Sequence, residues 1–160
     1  MTETAPHARR IAPDPSVVVD FAADYVDSFA IETALAAGAR AWAHASLHGS
    51  RGVFGSVMWH GLLRFELAAE GEARTAFGWR VTTEQDRLMV MDIDGPLAAG
   101  RMVFAVSDDM ATWSTMLRFR GRTGRVLWAI LGHGHRALAP VCLDRASTHL
   151  GTVNANRRAA

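Results

Sequence analysis

Two stretches of this 160-residue chain hold side chains whose types and spacing could do chemistry. In RVLWAILGHGHRALAP, residues 125–140, His133 and His135 stand between glycines inside an amphipathic pattern. Imidazoles ligate metals and exchange protons near neutral pH, so the pair invites both uses. At about 100° per residue, however, side chains two apart on a regular helix point about 200° away from each other and cannot share one ion. His44 and His48 do have the i, i+4 spacing of a helical metal pair. They fall opposite the Trp42 side of their helix, where solvent is expected, and no third ligand lies near. No metal site and no cofactor is expected. His133, His135 and His60 are left as weak candidates for a lone general base.

The second stretch is RFRGRTGR, residues 118–125, with four arginines. Such a cluster suits phosphate or nucleic acid. Yet no aromatic platform interleaves with it, and all 17 basic residues of the chain are arginine. Together with heavy alanine use, that points to a GC-rich genome rather than to guanidinium chemistry, and a solvated turn is expected. With no lysine there is no Walker motif, and no GxGxxG opens a helix. Asp24, Asp27, Asp92 and Asp94 read as exposed strand positions. Ser28 and Ser114 have no partner legible from spacing. Cys142 falls on the apolar side of the last helix, about 10 Å along the axis from His135, so no Cys–His nucleophile is expected.

The elements that must position these groups follow from periodicity. DYVDSFAIE (24–32) sets Tyr25, Asp27, Phe29 and Ile31 against Val26, Ser28 and Ala30, as a half-buried strand does. TALAAGARAWAHASLH (33–48) is alanine-rich and helical by propensity. VFGSVMWHGLLRF (53–65) repeats apolar residues at helical spacing and reads as a second, shorter helix. The period then changes to two. AFGWRVTT (76–83), RLMVMDID (87–94), RMVFAVSD (101–108) and MATWSTMLRFR (110–120) read as four strands joined by short turns. In the first of them Phe77, Trp79 and Val81 share a face. A last helix is expected from about Thr123 to about Thr148. Its apolar arc holds Val126, Leu127, Ile130, Leu131, Ala137, Leu138, Val141 and Cys142, with Gly134 near the centre, His133 and His135 on the edges, and Arg136 pointing away. Two glycines and Pro140 predict a kink within 132–140.

Net charge is +1, with 49% apolar and 21% charged residues, as in an ordinary soluble domain without a nucleic-acid partner. One cysteine excludes an internal disulfide framework and fits a reducing compartment. The first 25 residues lack the apolar core, about 7–15 residues long, of a secretory signal. No apolar run reaches the ~20 residues of a membrane span. The expectation is a cytoplasmic protein with no membrane partner: a flexible lead-in over 1–19, one domain over 20–150 and a flexible tail over 151–160.

Taken in order, strand, two helices, antiparallel meander and long C-terminal helix make an α+β domain of about five strands. This order resembles the START-like helix-grip superfamily, which includes polyketide cyclase-like and birch-pollen-allergen-like domains. DYVDSFAIE, FGWRV and WAILGHGHRALAP are the stretches most similar to a bacterial branch of it. The resemblance implies a curved sheet gripping the last helix, with a cavity between them for a small apolar or aromatic molecule. It carries over no catalytic residue, and the full fold has seven strands. On that basis Trp79, Met91, Phe104, Trp113, Thr115, Leu117 and Gly134 are expected to line the cavity. Two alternatives remain open at this point. One is a cyclase- or hydratase-like enzyme with a cavity histidine as general base. The other is an interaction domain, monomeric or homodimeric, with a filled core.

Overall fold

The computed structural model describes residues 6–18, 20–48 and 74–159. Seven strands form one antiparallel sheet: β1 (Arg9–Ile11), β2 (Tyr25–Glu32), β3 (Thr75–Ala76), β4 (Trp79–Gln85), β5 (Leu88–Asp94), β6 (Ala98–Val106) and β7 (Met110–Phe119), in the order β1-β2-β7-β6-β5-β4-β3. Among the described residues three helices accompany them: α1 (Pro15–Val18), α2 (Ala39–His48) and α3 (Arg122–Ala159). The α+β class and the long C-terminal helix are as expected, but the described residues form seven strands rather than about five.

The two extra strands are short edge pieces. β1 is three residues that bond to β2, and β3 is two residues that fold back on β4. Segments this short carry no alternation of their own. The β3–β4 turn also corrects the expected face of Phe77. Phe77 and Gly78 both have positive φ, at 55° and 81°. That is the twist a two-residue hairpin needs, so Phe77 sits in the turn rather than beside Trp79.

Helix α2 begins at Ala39 rather than at residue 33. The backbone N–H of Ala39 donates to Asp86 O at 2.7 Å, and a Cβ on Gly38 would lie 2.9 Å from that same oxygen. The chain must therefore run close over the β4–β5 turn before a helix can start. The second helix expected over 53–65 lies outside the described residues. Helix α3 is 38 residues, about 57 Å, and continues through Gly132, Gly134 and Pro140 to Ala159, past the end expected near Thr148. By length and apolar content it is also long enough to cross a membrane, a property that core helices share.

Register arranges the inward face of the sheet in rows. One row runs Asp27, Thr115, Met102, Met91 and Val81 across β2, β7, β6, β5 and β4. The next holds Phe29, Trp113, Phe104 and Met89, and a third holds Tyr25, Leu117, Gly100 and Ile93. α3 packs over β2 and β7, and α2 packs over β5, β6 and α3. Gly100 is required because a Cβ there would meet Ile93 at 3.1 Å and the Trp79 ring at 3.3 Å. On the outer face, Phe21 lies 5.1 Å and 5.6 Å from the guanidinium carbons of Arg101 and Arg118. Arg118, from the cluster in which no interleaved aromatic platform was expected, thus covers a ring.

Candidate functional site

The apolar arc read from α3 is buried only in part: Cys142 is buried, and Leu131 and Leu138 pack half-buried against the core, but much of the rest turns outward. Val126, Ile130 and Val141 are 62%, 68% and 41% exposed. The inward face carries Trp128, Gly132, His135, Ala139, Cys142, Leu143 and Ala146. Small residues prevail there because the helix approaches its neighbours closely. At Gly124 a Cβ would stand 2.4 Å from Leu97 O, while at Gly132 it would stand 3.2 Å from the indole nitrogen of Trp128, one turn back on the same helix. Gly132, rather than the half-buried Gly134, is the glycine that makes room, and what it admits is Trp128 and Arg136.

This rotation separates the two histidines. His133 is exposed, which removes it as a cavity residue, while His135 is only 3% exposed and faces the sheet. His60 lies outside the described residues. Opposite His135 stands Asp27, 1% exposed, which corrects its expected place on the surface. His135 Nε2 is 3.4 Å from Asp27 Oδ1. The other carboxylate oxygen accepts a short hydrogen bond from Tyr25 OH, and Arg136 Nη1 donates to that phenol oxygen at 3.3 Å. Arg136 therefore reaches inward, where the sequence pointed it to solvent.

Aromatic rings wall this cluster. Trp128 stands 5.1 Å from Tyr25 and 5.4 Å from His135, centroid to centroid. Trp113 meets the imidazole edge-on at 5.8 Å, Phe29 does so at 6.3 Å, and Phe104 stacks on Trp113 at 5.3 Å. Desolvation, then the adjacent Asp27 carboxylate, pushes the Tyr25 phenol up to about 12, partly opposed by Arg136. Tyr25 thus stays a proton donor to Asp27 across the ordinary pH range. With hydrogen on Nε2, the imidazole donates to Asp27, so the carboxylate orients both ring and tautomer.

Of the residues expected to line an interior cavity, Trp79, Met91, Phe104, Trp113, Thr115 and Leu117 are all buried. Thr115 sits directly across from Asp27 in register, so β2 and β7 bring both polar groups to one spot. Sequence reasoning missed Tyr25, Asp27, Trp128 and Gly132. For the first two a signal existed, because strict alternation places both on the face of Phe29 and Ile31.

The remaining candidates go elsewhere. Asp92, Asp94 and Asp24 pair with Arg101, Arg120 and Arg125 at 2.7, 2.6 and 3.0 Å. Ser28 and Ser114 bond to each other at 2.7 Å. Burial pushes the Cys142 thiol up, away from nucleophilic use. His44 is exposed, with its ring 4.9 Å from that of Phe77. Among the described residues no three His, Cys, Asp or Glu side chains gather to hold a metal. An open groove of about 360 Å³ lies along residues 34–38 and the turns at Asp86–Arg87 and Ser107–Asp108, and none of the Asp27–His135 cluster lines it. Comparison with known proteins gives no matching family model, curated protein or solved structure.

Proposed function

We propose that this chain is a helix-grip domain of the START-like kind that binds a small apolar or aromatic molecule between the sheet and α3. The observation that carries the proposal is the Tyr25–Asp27–His135 cluster, set inside an otherwise aromatic and methionine-rich interior. An interior built only for stability has little use for a carboxylate, since apolar replacements of buried ion pairs are often neutral or stabilising. A polar point in an apolar wall is what orients a small ligand. The methionines at 89, 91 and 102 supply flexible wall that adapts to ligand shape. A net charge of +1 favours such a partner over nucleic acid.

Native mass spectrometry with added 2-ethylnaphthalene, a neutral apolar probe, tests it. One adduct per chain that is lost in Trp113→Ala is expected. A protein that carries no co-purified molecule and takes up none of the probe refutes it.

The Asp27–His135 contact also favours a catalytic variant of the same site, with His135 as general base oriented by Asp27. His135→Gln would then keep occupancy and abolish turnover of the bound molecule.

A further inference from the structure

Native interiors leave few buried polar atoms without a partner, and each one asks for an explanation. Here Trp42 Nε1, Ser46 Oγ, Trp113 Nε1 and Thr115 Oγ1 are buried and make no hydrogen bond. Their residues are 1%, 1%, 4% and 1% exposed. They fall in two pairs. Trp113 and Thr115 are two apart on β7 and share its inward face. Trp42 and Ser46 are one turn apart on α2, the helix that packs over β5, β6 and α3. All four therefore belong to the layer between sheet and helices.

Their chemistry restricts what can satisfy them. Indole N–H groups only donate, and hydroxyls donate or accept, so the set is rich in donors and carries no charge. Beside it, across from Thr115, stands the Asp27 carboxylate. Neutral donors call for oxygen acceptors, while a neighbouring carboxylate repels a ligand that is itself anionic. Resting on the interior site proposed above, we infer that its ligand class is an uncharged aromatic molecule bearing a carbonyl or ether oxygen. That oxygen accepts from Thr115 and Trp113, and the ring lies against Phe104 and the methionines.

Three probes that share one ring system test this by calorimetric titration: 2-acetonaphthone, 2-ethylnaphthalene and 2-naphthoate. The ketone is expected to bind about 3- to 10-fold more tightly than the hydrocarbon, the gain of one net hydrogen bond, and the carboxylate not detectably. Thr115→Val keeps shape and removes the donor, while Trp113→Phe removes the donor together with one ring of the indole. In each, the ketone should lose one of its two donors and move toward the affinity of the hydrocarbon, whose own affinity Thr115→Val leaves unchanged. Equal binding of ketone and hydrocarbon to the unmodified protein, or tightest binding of 2-naphthoate, overturns the ligand class and leaves the interior site standing. Binding by none of the three overturns both.

Discussion

Tyr25 is the only tyrosine of the chain, so its ionisation can be followed without ambiguity as tyrosinate absorbance near 295 nm. The perturbation is alkaline pH. Burial and the hydrogen bond to Asp27 raise the phenol from the ordinary value near 10 to about 12. The native protein should therefore show a midpoint about two units above the one it shows in concentrated urea. The sign for each neighbour is fixed by its charge. Asp27→Asn removes a negative acceptor and should lower the midpoint, and Arg136→Ala removes a cation and should raise it. Stability follows by linkage. A phenol whose folded pKa exceeds its unfolded one contributes stability that is fully present below pH 10 and lost as pH rises through about 12. Tyr25→Phe should flatten the stability curve in that window and leave its shape below pH 9 unchanged. A native midpoint near 10, unmoved by Asp27→Asn, would refute the buried Tyr25–Asp27 contact from which the site is built.

The same cluster predicts coupling in urea unfolding. Asp27→Ala and His135→Ala each leave a buried polar partner behind and should each cost about 1–3 kcal/mol, while the double variant costs at least about 1 kcal/mol less than their sum. Strict additivity would mean the two groups do not interact. In the ligand-free protein, Thr115→Val should raise stability by about 1 kcal/mol, because it removes a buried hydroxyl that has no partner. A loss of stability there would show that the hydroxyl is satisfied. Gly100→Val drives a side chain into Ile93, Leu117 and the Trp79 ring, and a thermal melt should show a cost of about 1–3 kcal/mol. A melt unchanged by that substitution would mean the interior is loosely filled at that end.

Strands β2 and β4 to β7 were legible because each runs for seven or more residues, long enough for an extended pattern to stand out from composition. β1 and β3 owe their existence to the strands they pair with, and nothing in RRI or TA announces it. The face of α3 failed for a different reason. Counting apolar side chains favours Val126, Ile130 and Val141, but close approach selects small residues, and Gly124, Gly132, Ala139 and Ala146 lie on the other arc. Weighting glycine and alanine as contact residues would have put His135 inward and His133 outward. Asp27 was on the correct face by alternation and was moved to the surface only because carboxylates usually sit there. A charged residue at a core position is the stronger signal. Its partner His135 could not be found by spacing, because it lies 108 residues away in sequence from Asp27.

The most direct test of the interior site is an NMR titration of ¹⁵N-labelled protein with 2-acetonaphthone, read at the indole N–H signals. A saturable one-to-one shift of the Trp113 and Trp128 signals, with the backbone amides at residues 34–38 unmoved, is the predicted result. Indole signals that stay in place while those amides shift would put binding in the open groove by α2 and contradict a site between the sheet and α3.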